Sequence, residues 1–160
     1  MEILGFKRTG FQWSCKMKNI NVFGSIVAAI LAFFAVSANA ASGSYSNSVP
    51  GATVYAPNTF YTTTIPVLGS PTPNSRAKSV YYSYGLGAIP SGGTLEAYLC
   101  HGTTSNCVNV SSSRSGSTTA FATDNRSATI PFFFYYRIVR SSSFPAVFGG
   151  TAQVIVNWAD

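Results

Sequence analysis

The chain has 160 residues, a formal net charge of +6, 14% aromatic residues and 9% charged ones. Half of the excess of positive charge is N-terminal. From residue 41 onward the basic residues are Arg76, Lys78, Arg114, Arg126, Arg137 and Arg140, and the acidic ones are Glu96, Asp124 and Asp160, a balance of only +3. No basic cluster stands among them, so the sequence gives no case for nucleic-acid binding.

The N-terminus reads as an export signal. Val22 to Val36 (VFGSIVAAILAFFAV) is an uncharged apolar run, preceded by Lys16 and Lys18 and followed by Ser-Ala-Asn-Ala40. A basic region, a short apolar region and an Ala38-x-Ala40 site predict a secretory signal peptide over residues 1–40, cleaved between Ala40 and Ala41. The run falls short of the roughly 20 apolar residues a spanning helix wants, so membrane contact is expected only through this segment before cleavage. Met17 offers a second start, with residues 1–16 then an upstream extension. Residues 41–160 are expected to form one domain with a modest core.

Helix signals are nearly absent beyond Ala41. Ser, Thr, Gly, Tyr, Phe and Val dominate, and turn clusters interrupt the chain about every ten residues, which predicts an all-β fold. Asn58 to Ile65 (NTFYTTTI) reads as a strand and Gly69 to Ser75 (GSPTPNS) as a loop. Ser79 to Leu86 follows as a strand with Val80, Tyr82, Tyr84 and Leu86 on one face. Ile89 to Gly93 is a turn, and Thr94 opens the strand that reaches Cys100.

Cys100 and Cys107 flank the only histidine, His101. If the cysteines face each other across an antiparallel hairpin, Leu99 pairs with Val108 and Tyr98 with Asn109. Leu95, Ala97, Leu99, Val108 and Val110 then share one face, while Glu96, Tyr98, Asn109 and Ser111 share the other with the sulfurs. A slip of one residue would mix the two sets. An even pair of cysteines in an exported chain is a disulfide by default. The spacing is wrong for a zinc site, which would also need further ligands, and no C-x-x-C redox motif is present. No metal and no cofactor are expected.

Ser115 to Phe121 reads as a strand and Thr123 to Ser127 as a turn. In Pro131 to Arg140 (PFFFYYRIVR), Phe132, Phe134, Tyr136 and Ile138 share one face, and Phe133, Tyr135, Arg137 and Val139 share the other. The second face is too aromatic for a plain solvated surface. It is expected to be covered by another element or used for a partner, with Tyr135 and Arg137 as candidate partner-binding residues. Thr151 to Trp158 is the terminal strand, with Ala152, Val154, Val156 and Trp158 inward. The count is about seven or eight strands in a single small antiparallel β-sandwich, with one hairpin disulfide.

Catalytic constellations find little support. His101 and Asp124 could join a serine triad, but no G-x-S-x-G motif accompanies them, and a hairpin-tip histidine is expected to be exposed. Glu96, Asp124 and Asp160 are the only carboxylates for a glycosidase pair, and Asp160 is terminal. The residues alone point to a non-enzymatic domain that works by binding.

An ordered set of segments carries a family resemblance over about residues 78–158. It runs from Val80 to Leu86 (VYYSYGL), through Ile89-Pro-Ser-Gly92 and Tyr98-Leu-Cys100, to Cys107-Val108 and Ser115 to Phe121. Pro131 to Val139, Phe144-Pro-Ala146 and Val154-Ile-Val-Asn157 complete it. The chain resembles the periplasmic flagellar protein FlhE family. The resemblance implies a periplasmic accessory of the flagellum, associated with swarming, with partners among basal-body, rod/hook or export-apparatus components. The implied role is chaperone-like, limiting proton leak through the export apparatus or aberrant flagellar assembly in the periplasm. Where the family has a tryptophan in the N-terminal segment, this chain offers Tyr45. The rival reading is a pilus or surface-appendage subunit, which would polymerise by exchanging a donor strand.

Overall fold

The computed structural model describes residues 40–160; the expected signal segment before Ala40 lies outside the described residues. The elements are β1 (Ser42–Pro50), β2 (Tyr61–Ile65), β3 (Arg76–Leu86), β4 (Thr94–His101), β5 (Cys107–Asn109) and β6 (Ser115–Thr118). A 3-10 turn (Ala120–Thr123), β7 (Phe132–Val139) and β8 (Gly149–Ala159) complete the order. They make two four-stranded sheets, β1-β8-β3-β6 and β2-β7-β4-β5. All pairings within them are antiparallel.

Period-two alternation builds the core. Phe132, Phe134, Tyr136 and Ile138 of β7 are buried, as are Ala152, Val154 and Val156 of β8 and Val80, Tyr84 and Leu86 of β3. The two inner faces meet through aromatic contacts. The Tyr84 ring lies 5.2 Å from Phe134 and stacks at 6.4 Å on Tyr136. Buried hydroxyls are paired where the chain allows: Tyr84 donates to the Val110 carbonyl at 3.0 Å, and Tyr136 to the Ala52 carbonyl at 2.6 Å. Burial raises the pKa of both phenols above the ordinary value.

One feature lay outside the sequence expectation and two differ from it. The segment after Ala41 joins a sheet as β1, paired with β8 from Ser42↔Ala159 to Pro50↔Thr151. Its one buried side chain is Tyr45, whose hydroxyl finds no partner and whose pKa burial pushes up to about 12. The strand expected over Ser115 to Phe121 ends at Thr118. The chain then coils into the 3-10 turn, which drops Phe121 into the core. Finally, His101 is fully buried, not exposed at a hairpin tip.

At the end opposite the cysteine hairpin the sandwich closes by backbone contact. The Gly51 N–H donates to the Gly150 carbonyl at 2.6 Å. A Cβ on Gly149 would collide with the carbonyl groups of Gly51 and Ala52, so only glycine admits this approach.

Candidate binding face and the latch beneath it

Register fixes the cysteine hairpin. Cys100 faces Cys107, Leu99 faces Val108 and Tyr98 faces Asn109, and Cys100 and Cys107 are disulfide-bonded. The His101 N–H donates to the Asn106 carbonyl and the Val110 N–H to the Ala97 carbonyl. The cysteines therefore occupy a non-hydrogen-bonded rung, where side chains stand closest.

Beneath the hairpin lies a polar cluster. His101 Nδ1 donates to Asp124 Oδ2 at 2.8 Å, and Asn106 Nδ2 donates to the same oxygen at 2.5 Å. The Arg126 N–H donates to Asp124 Oδ1 at 3.0 Å, and its guanidinium Nε sits 3.6 Å from that oxygen. Burial alone would raise the Asp124 pKa, but the hydrogen bonds from His101, the Arg126 backbone and Asn106 hold it below the ordinary value. The imidazole stacks on Phe132 at 4.3 Å and meets Phe121 edge-on. One carboxylate thus ties the hairpin to the segment that leads into β7.

The histidine and aspartate named for a serine triad do meet, at 2.8 Å. His101 Nε2, which would have to take a proton from a nucleophile, is buried with no hydrogen-bond partner. The three carboxylates considered for glycoside chemistry are separately engaged. Asp124 binds His101, Glu96 binds Arg137, and Asp160 accepts from the Thr72 hydroxyl. Among the described residues no three His, Cys, Asp or Glu side chains group as metal ligands.

The outward face of β2-β7-β4-β5 carries the residues expected to meet a partner. Across β7 and β4, Tyr135 faces Tyr98 and Arg137 faces Glu96. Arg137 Nε donates to Glu96 Oε2 at 2.8 Å, with both side chains about one-third exposed, 31% and 32%. Phe60, just ahead of β2, lies over this face. Its ring stacks on Tyr135 at 4.0 Å with 6° between planes, and the Arg137 guanidinium carbon sits 4.5 Å from its centroid. Phe60 covers the face only in part, because Tyr98 meets it tilted at 6.4 Å and all four side chains stay partly accessible. Phe60 was not among the residues expected on this face. Its position ahead of Thr62 and Thr64 in an alternating run was the available signal.

Of the expected cleavage pair, Ala40 is exposed, and the Ala41 carbonyl accepts from the Asp160 N–H at 2.9 Å. Among the described residues no helix is long and apolar enough to cross a membrane.

Comparison with known proteins agrees with the ordered segments. The model of the flagellar protein FlhE family matches residues 55–159. A solved crystal structure of FlhE superposes with a TM-score of 0.58 at 25% sequence identity, covering 73% of this chain and 96% of that one. Comparison with curated protein sequences finds no match. The matched span runs from Tyr55, next to the bridge residue Val54, to the end of β8, taking in the cysteine hairpin, the Asp124 latch and the aromatic face, and on that extent the chain belongs to the flagellar protein FlhE family.

Proposed function

We propose that the chain is exported to the periplasm, loses its signal segment between Ala40 and Ala41, and acts there as a non-enzymatic accessory of flagellar assembly. Its work is binding. It engages a basal-body, rod/hook or export-apparatus component through the outward face of β2-β7-β4-β5, in a chaperone-like role that supports swarming. The consequence of binding is restraint of proton leak through the export apparatus, or of flagellar assembly in the wrong place.

Membership of a flagellar family supports the setting. The observation that carries the binding reading is the accessible Phe60–Tyr135–Arg137 stack beside Tyr98, since aromatic and arginine side chains supply most anchoring energy at interfaces. The sealed Nε2 of His101 supports binding over hydrolysis.

A clean deletion strain tests the reading. Swarming on a surface should fail, or the cytoplasm should acidify excessively after mild external acidification, and the wild-type gene should restore either. Normal swarming and normal pH in a flagellated host that expresses the protein would discard the flagellar role in favour of an appendage subunit.

A further inference from the structure

The outward face of β2-β7-β4-β5 is not flat. Two hollows, of about 390 and 470 Å³, lie along it and share Thr104 of the hairpin turn. The first is lined by Tyr98, by Tyr135 under its Phe60 partner, by the Glu96–Arg137 pair and by Ser105. The second continues over Phe133, between Thr62 and Thr64 of β2 and Thr103 of the turn. Both volumes fall within the range of small-molecule sites.

The chemistry of the lining selects among ligands. Glu96 and Arg137 are the only charged residues in either hollow, and they neutralise each other at 2.8 Å. A phosphorylated, acidic or basic ligand would therefore find no opposite charge to meet. Arg137 bonds Glu96 through Nε, and its two terminal nitrogens make no hydrogen bond to the described residues. Thr62, Thr64 and Thr104 present exposed hydroxyl-bearing side chains. The Tyr98 ring is tilted 51° from Phe60, so no ring stacks on it. Aromatic floors, hydroxyl rims and a fixed donor–acceptor pair without net charge suit a pyranose ring. Its C–H face lies on an aromatic ring, while its hydroxyls exchange hydrogen bonds with carboxylate, guanidinium and threonine.

We propose that this groove binds an uncharged linear glycan, with one pyranose on Tyr98, beside the Phe60-stacked Tyr135, and the next on Phe133. The hollows share Thr104 in their linings, so a ligand filling both is an oligosaccharide and not a single sugar. The inference rests on the reading of this face as the binding face and gives that face a ligand class.

The test is titration of the purified full chain, by calorimetry and by backbone amide NMR, with two probes: N-acetylchitohexaose and cellohexaose. Saturable binding of either is expected, and the pair separates acetamido sugars from plain hexoses. Tyr98→Ala should weaken it by about tenfold or more, as loss of an anchoring ring does. Tyr81→Ala, on the outward face of the other sheet, should leave it unchanged, with both variants keeping wild-type amide spectra outside the substituted site. Binding of neither probe, or binding that Tyr98→Ala leaves intact, would overturn the proposal. So would a groove that takes up an uncharged Ser/Thr-rich peptide and no glycan. A protein that restores swarming but binds neither probe removes the glycan and leaves the flagellar reading standing. Glycan binding by a protein whose deletion alters neither swarming nor pH does the reverse.

Discussion

The two sheets bury similar inner faces but present different surfaces outward. On β1-β8-β3-β6 the outward rows run Ser46–Ile155–Tyr81, Ser48–Gln153–Ser83 and Ser44–Asn157–Ser79. Polar side chains satisfy one another there: Asn157 donates to the Ser79 hydroxyl at 2.9 Å, and Gln153 to that of Ser46 at 3.3 Å. On β2-β7-β4-β5 the rows run Thr62–Tyr135–Tyr98 and Thr64–Phe133–Cys100, with Arg137 facing Glu96 beside them. A serine-rich surface is what a sheet needs to face water. Four accessible aromatic rings around an ion pair are more than solubility requires, so the second sheet is where a function can be sought.

The comparison predicts that stability and function separate by layer. The largest effect belongs to the shared core. Phe134→Ala, which removes a ring packed against Tyr82 and Tyr84, should cost about 3–5 kcal/mol in chemical denaturation and loosen both sheets together. A loss under about 1 kcal/mol would mean the sheets are not held through this ring.

Next comes the latch under the cysteine hairpin. His101→Ala opens a cavity beside Phe132 and strips Asp124 of a donor, and it should cost about 2–4 kcal/mol. An unchanged unfolding midpoint would return His101 to the role of a surface residue. Replacing both Cys100 and Cys107 by Ala should cost about 2–3 kcal/mol on loop entropy, read as a lower midpoint matched by the reduced wild type.

The acid limb of stability gives a smaller effect. The folded Asp124 carboxyl titrates below its ordinary value of 3.8. Its stabilisation is therefore complete above that value and is lost as the pH falls through the lower folded one. Asp124→Asn should remove this contribution, giving a shallower loss of stability with falling pH in that window; parallel wild-type and variant curves would contradict it.

Much of this was legible before the coordinates. The hairpin register followed from Leu95, Ala97, Leu99, Val108 and Val110 having to share a face, and the strong alternation of β7 follows from Phe132, Phe134, Tyr136 and Ile138. β1 was not legible, because an edge strand needs one neighbour and little apolar surface. Tyr45 is its only buried residue, and β8 supplies its pairing. The burial of His101 was readable and missed. It continues the inward set Leu95, Ala97 and Leu99 by one more step of two, a period that holds up to the hairpin turn. Its partner Asp124, 23 residues on, is reached only through the 3-10 turn, which local pattern does not encode. Phe60 over Tyr135 and Arg137 likewise depends on the pairing of β2 with β7.

The most direct measurement is complementation of the deletion strain by face variants of equal stability and equal abundance. Tyr135→Ala combined with Arg137→Ala should fail to restore swarming and cytoplasmic pH control, while Tyr81→Ala combined with Ile155→Ser on the opposite face should restore both. Full rescue by the first pair, or failure of the second, would contradict the assignment of function to the outward face of β2-β7-β4-β5.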